Sequence, residues 1–411
     1  MYLKNKFEQG LASCDWGTLA VCGMAISMTV SRALFNLFAL AMVVAWVLSG
    51  RYRQLPNEAM KSPLVLVCLL LYGWICIGAT YSAAPDALAW DHVATYSKLL
   101  LIPLMSSFIT TPQRTQAVWV GVSIGLMLLQ LSYLADLWID LPGSLSVKTG
   151  TIGVFNNHIV EGLSLSTWAL AMTAATAMLL KQRRSLAACP ALLASVAIYC
   201  VVFLNPGRGA QLALVAGMMT LVFLLTPRHV RWVGTGAAIL LMAAVAFQST
   251  MVMQRFELAV HEAKTADTVK QTSVGLRINA WRAGLDLWRE SPLIGHGTGS
   301  YQHLMQTQKS DMVGGCEDNP VCLQPHSQYV LLLAEQGAVG LMMFLALLAA
   351  MVWPAMQSGH LAAKLSAAFA CAFAVHSTFD SGLRMGTQMF VFMVMAVALT
   401  AAVRLKWPEQ G

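Results

Sequence analysis

Gly275-Leu-Arg-Ile-Asn-Ala-Trp-Arg-Ala-Gly-Leu-Asp-Leu-Trp-Arg-Glu-Ser-Pro-Leu-Ile-Gly-His-Gly-Thr-Gly299 is the stretch on which the fold turns. It lies within residues 254–329, the one long polar segment of an otherwise apolar chain. That segment closes on Gln324-Pro-His-Ser-Gln-Tyr329, where an apolar run resumes. An arginine and a histidine therefore stand at the edge of an apolar region, where unpaired polar groups are costly.

Outside this segment, composition sets the class. Of 411 residues, 57% are hydrophobic and 11% charged, against about 25% charged in a typical soluble chain. Apolar runs of about twenty residues recur, each long enough to cross a bilayer as a helix. The sequence predicts an all-α polytopic membrane protein with about twelve spans. They fall near 13–31, 33–49, 63–80, 93–110, 115–134, 157–180, 186–204, 210–226, 232–249, 328–353, 361–378 and 386–403. Nine spans would occupy 1–249, a partly helical loop 250–327, and three spans with a tail 328–411.

The loops set the orientation. Arg51, Arg53 and Lys61, Arg114, Lys181 with Arg183 and Arg184, Arg228 with Arg231, Lys364, and Arg404 with Lys406 share one side with Lys4 and Lys6. Arg32, Lys148, Arg208, Arg384 and the long loop share the other. The richer set is expected in the cytoplasm, with both termini. The long loop then faces outward, into the periplasm of a Gram-negative cell. The net charge of +7 is read as this asymmetry and not as nucleic-acid binding. The first apolar run reads as a retained helix, not a cleaved signal.

Seven cysteines (Cys14, Cys22, Cys68, Cys76, Cys189, Cys200 and Cys371) lie in or beside apolar runs, where free cysteine acts as a small hydrophobe. Cys316 and Cys322 sit close together in the polar loop. An oxidising compartment would allow them to form a disulfide.

Four clusters carry candidate chemistry. In Asn205-Pro-Gly-Arg-Gly-Ala-Gln211, glycines flank Arg208 and allow close backbone approach. A helix start there would favour an anion. The plainer alternative is a tight turn with an arginine snorkelling to headgroups. Residues 275–290 read as an amphipathic helix. Ile278, Trp281, Leu285 and Trp288 share one side, while Asn279, Arg282, Asp286 and Arg289 share the other. Arg277 falls with the tryptophans, on the face expected to pack inward, either at a site or in a structural ion pair. Arg282 and Asp286 have the spacing of a surface pair. Around His296, three alternate glycines predict an irregular turn; a nucleotide loop is weak because no strand precedes it. His326 precedes a span, where the positive helix end disfavours imidazolium and leaves a ring able to accept a proton. A polar cap is the alternative reading. Lys148 and His158, near the other sizeable outer loop, read as a solvated loop and a helix start.

No metal-ligand spacing stands out and the outer carboxylates are scattered, so no metal or other cofactor is expected. Arginines would have to offset charge on a phosphate leaving group.

These motifs together resemble the O-antigen ligase and polymerase superfamily. The matching features are Gly275-x-Arg277 with Trp281, Ser291-Pro-Leu-x-Gly-x-Gly-x-Gly-x-Tyr301, Pro325-His-Ser-x-Tyr329 and Glu335-Gln-Gly-Ala-Val-Gly340. The short turn at 205–211 matches as well; elsewhere only the topology matches. The resemblance implies a GT-C-like integral-membrane glycosyltransferase of the bacterial inner membrane, working on its outer face. Its donor would be a glycan on undecaprenyl diphosphate, and its acceptor a sugar hydroxyl of lipid A–core. Carried over by motif, Arg208 and Arg277 would bind the diphosphate and His326 would activate the acceptor, with inversion. Lys98 and Arg384 are possible secondary phosphate contacts. Ligase is preferred because no soluble C-terminal domain follows the last span, as it would in protein O-oligosaccharyltransferases. O-antigen polymerase is the near alternative. A lipid-linked glycan flippase is the alternative from another class, opposed by the lack of visible repeats or of a pair of broken helices. Arg208, Arg277 and His326 should converge in one cavity, with residues 254–329 as its lid.

Overall fold

The computed structural model describes residues 15–139, 154–265 and 272–407; Lys4, Lys6, Cys14 and Lys148 lie outside them. Every regular element among the described residues is helical. α1 (Trp16–Ser27) is capped by the Asp15 carboxylate and α2 (Arg32–Leu48) by the Ser31 hydroxyl. Each cap accepts from a first-turn N–H that the helix leaves unsatisfied. The short α3 (Leu55–Lys61) leads to α4 (Pro63–Thr80), which opens on a proline whose missing N–H costs nothing there. α5 (Asp86–Tyr96) and α6 (Leu101–Phe108) are joined by a 3₁₀ turn over Ser97–Leu100. α7 (Pro112–Trp138), α8 (His158–Lys181) and α9 (Ala188–Tyr199) follow. Then come α10 (Arg208–Leu225), α11 (Arg231–Gln248), α12 (Thr250–Lys264), α13 (Ser273–Glu290) and α14 (Ser300–Gln308). α15 (Gln328–Gln357), α16 (Leu361–Phe379) and α17 (Gly386–Arg404) complete the order.

Eight helices among the described residues are long and apolar enough to cross a membrane, and three more are apolar but shorter: Trp16–Ser27, Arg32–Leu48 and Arg231–Ala244. The remaining expected span, 93–110, is made of the end of α5, the 3₁₀ turn and α6. Pro103 has no N–H to offer the Leu99 carbonyl, which instead accepts from Cys68 Sγ at 3.2 Å. α15 is broken: Gly337 adopts φ 64°, ψ −164° inside it.

α17 is the central pillar, with 83% of its apolar window buried against 28% for α15. Phe390 of α17 stacks on Phe35 at 3.7 Å between ring centroids, and Phe392 meets Phe373 at 4.4 Å. Away from this core, Asp15 bonds Arg51 at 2.7 Å and Arg114 at 3.2 Å, tying α1 to the helices that follow.

The polar segment folds against the bundle. The loop Ser291–Gly299 docks into the break of α15. The His296 and Gly297 N–H groups donate to the Ala334 and Glu335 carbonyls at 3.0 and 2.8 Å. The Ala338 and Val339 N–H groups donate back to Pro292 and Leu293 at 2.9 and 3.2 Å. Gly295, Gly297 and Gly299 all have positive φ (69°, 88° and 81°). A Cβ on Gly297 would lie 2.5 Å from the Gly78 carbonyl oxygen. Cys316 and Cys322 are disulfide-bonded.

The buried face of α13 differs from the expected one. Gly275, Asn279, Ala280, Ala283, Gly284 and Leu287 are buried. Trp281 and Trp288 lie on its flank. Small residues win because α13 approaches α15 closely: a Cβ on Gly284 would lie 2.4 Å from Val330 Cγ1. Asn279 leaves the expected polar face, and Asp286 pairs with Arg289 at 2.6 Å.

Candidate active site

Three segments meet at one cavity. The first turn carries Arg208. After α9 the chain runs through a π-helical turn, Cys200–Leu204, and the Asn205 N–H returns to the Cys200 carbonyl at 2.8 Å. Asn205 Oδ1 accepts from the Gly207 N–H at 2.8 Å, while Asn205 Nδ2 donates to Tyr133 Oη at 2.9 Å and to the His158 carbonyl at 2.8 Å. Tyr133 donates to Glu161 at 2.8 Å, and Glu161 also accepts from the N–H groups of Val154, Phe155 and Asn156. A buried carboxylate with four donors is satisfied, so it holds the turn in one conformation. Arg208 emerges at the first position of α10, at the positive end of that helix.

The second approach is the start of α13, which carries Arg277. Glu262 of α12 accepts from the Val274 N–H at 3.1 Å, and Thr272 caps α13. This places Ser273 and Arg277 on the cavity wall. Burial pushes the Arg277 guanidinium below its ordinary value, and the charges of Asp380 and Glu262 oppose that.

The third is the turn that follows α16. Asp380 is 1% exposed and its Oδ1 meets His326 Nδ1 at 3.3 Å. It also accepts from the Ser381 N–H at 2.9 Å and from Gln388 Nε2. The Asp380 carbonyl accepts from the Gln328 N–H at 3.2 Å, joining this turn to the start of α15. Burial raises Asp380, but the hydrogen bond and charge of His326, then His376 and Gln388, outweigh it and hold the carboxyl below its ordinary range. An ionised Asp380 only accepts, so His326 Nδ1 donates and Nε2 keeps its lone pair. His326 itself sits at φ 49°, a left-handed backbone that a side-chain-bearing residue rarely takes.

His158, Gly207, Arg208, Gly209, Ser273, Arg277, His376, Phe379 and Asp380 are among the residues around a cavity of about 250 Å³. The two arginines thus line one cavity; His326, expected there with them, is not among its lining residues and adjoins it through its contact with Asp380. A second, apolar groove of about 480 Å³ shares Arg208, Gly209, Arg277 and Phe379 with it. The groove runs on along Leu212, Val215, Val252, Phe256, Ile278 and Trp281. Trp281 Nε1 donates to the Pro325 carbonyl at 2.9 Å, holding α13 to the residue before His326.

Residues 192–345 match the O-Antigen ligase family model. That segment of the chain contains Arg208, Arg277 and His326, and the match supports membership of the O-antigen ligase/polymerase family, as the motifs lead one to expect. No curated protein matches the chain.

Two expected phosphate contacts stand elsewhere. Arg384 donates to the Leu323 carbonyl, meets His92 Nε2 at 2.9 Å and donates to Gln302 Oε1 at 3.2 Å. Burial and this guanidinium push His92 down to about 4. Lys98 Nζ stands 5.8 Å from the Phe390 ring centroid. Neither lines the arginine cavity. His296 has a structural place, with Nε2 on the Leu287 carbonyl at 2.9 Å. Among the described residues no three His, Cys, Asp or Glu side chains gather as a metal site.

Sequence reasoning passed over Asp380 as one of several scattered carboxylates and did not consider His376. Both lie beyond the matched segment, and neither carries a local motif. Their only signal is i, i+4 spacing at the end of an apolar run, which puts them on one helix face.

Proposed function

We propose that the protein is an O-antigen ligase. It moves a glycan from undecaprenyl diphosphate to a sugar hydroxyl of lipid A–core, on the outer face of the bacterial inner membrane. The observation that carries this is the shared wall of Arg208 and Arg277 beside the Asp380–His326 pair.

The two guanidiniums bind the diphosphate oxygens, and their planar forks suit phosphate. The positive end of α10 adds to the same field. His326 Nε2 takes the proton of the acceptor hydroxyl. The oxygen attacks the anomeric carbon, the bond from that carbon to the diphosphate oxygen breaks, and undecaprenyl diphosphate leaves with its electron pair. Attack opposite the leaving group inverts the centre. Asp380 holds the imidazole with Nε2 free and stabilises the imidazolium as it forms. The apolar groove that continues from the arginines suits the polyprenyl chain, which gains by leaving water or disordered lipid for a fitted surface.

The test is acceptor choice. Purified protein receives an undecaprenyl-linked glycan together with lipid A–core or a second lipid-linked glycan. Transfer to core is expected. Chain lengthening would make the protein a polymerase, glycosylation of an added acceptor protein would make it a protein O-oligosaccharyltransferase, and translocation without bond formation would make it a flippase.

A further inference from the structure

α16 brings a second histidine to the arginine cavity. His376 lines it, one helical turn before Asp380. Its side chain is 1% exposed, and among the described residues neither Nδ1 nor Nε2 makes a hydrogen bond of good geometry, although the Gln388 side chain lies close enough to interact with the ring. Gly209, next to Arg208, faces it closely: a Cβ built there would lie 3.9 Å from His376 Nδ1. The neighbouring Gln388 uses its amide N–H on Asp380. A neutral imidazole carries one donor and one acceptor. Burying both unmatched forfeits their hydration, which native structures avoid unless water or a ligand completes them.

The surroundings indicate which ligand. Two guanidiniums, a helix start and a single carboxylate surround the cavity, so an anion fits there better than a neutral sugar ring. We propose that His376 donates a ring N–H to an oxygen of the donor diphosphate, as a third binding residue beside Arg208 and Arg277. This rests on the ligase reading above. The residue faces the leaving group, whereas His326 serves the acceptor, so the two histidines act on opposite sides of the bond that breaks.

Full-length protein in detergent is titrated with undecaprenyl diphosphate, and each variant is checked by its melting temperature. His376→Leu should bind about tenfold more weakly. His376→Asn or His376→Gln, which keeps an N–H near one ring nitrogen, should restore most of the affinity. Arg208→Ala and Arg277→Ala serve as references. If both arginine variants weaken binding and His376→Leu binds as wild type, the inference is overturned while the ligase reading stands. If all three histidine variants lose affinity in proportion to a lowered melting temperature, His376 is structural and the inference is again overturned. If both arginine variants bind normally, the donor site itself is misassigned and both fall.

Discussion

His326 and Asp380 show how a single pair can set the chemistry. The helix start at Gln328 suggests a ring kept neutral by the backbone dipole, whereas the folded chain puts a buried carboxylate 3.3 Å from Nδ1. The partner therefore governs the tautomer, and the strained backbone at His326 keeps the ring facing that partner. Asp380→Asn should lower kcat by about 10²–10⁴-fold with little change in donor binding, because an amide can present its N–H₂ to Nδ1 and enforce the wrong tautomer. His326→Ala should abolish transfer while the protein still melts normally; near-native turnover would remove His326 from the base role. His92 gives a prediction in stability. Its folded value, about 4, lies below the ordinary histidine value. As pH falls from about 6.5 towards 4, the unfolded chain takes a proton that the native one refuses, so stability declines over that window. His92→Gln should flatten the decline, read as the melting temperature in detergent at stepped pH.

Among the elements, the loop Ser291–Gly299 and the break in α15 are one device. Strand-like pairing of the loop with residues 334–339 requires α15 to open at Gly337, and three positive-φ glycines let the loop follow. Gly297→Ala should destabilise the protein by more than about 1 kcal/mol, since the left-handed conformation and the 2.5 Å approach to Gly78 both exclude a methyl group. An unchanged melting temperature would show that the loop does not clamp α15. The amphipathic pattern of α13 was legible, but its packing face was not. Tryptophans dominate a hydrophobicity count, whereas close helix approach selects Ala280, Ala283 and Gly284. The Glu161–Tyr133–Asn205 network was equally hidden, because it joins three segments by hydrogen bonds that no periodicity encodes.

On the scale of the whole molecule, the proposed reaction would have two arginines and a helix start to offset the charge of a departing diphosphate. Transfer should therefore persist in chelator; activity lost in EDTA and restored by magnesium would contradict this. The apolar runs alone determined the helical class and the stretches that form helices, because apolar length is a local property that a bilayer reads directly. The motifs alone pointed to the family and to Arg208, Arg277 and His326. Tertiary structure decided the rest. It opened α15 at Gly337, drew Asp380 and His376 into the cavity, and turned Arg384 towards His92 and Gln302. Each of these depends on partners distant in sequence, and a buried polar group's role is set by the atoms that face it, not by its neighbours along the chain.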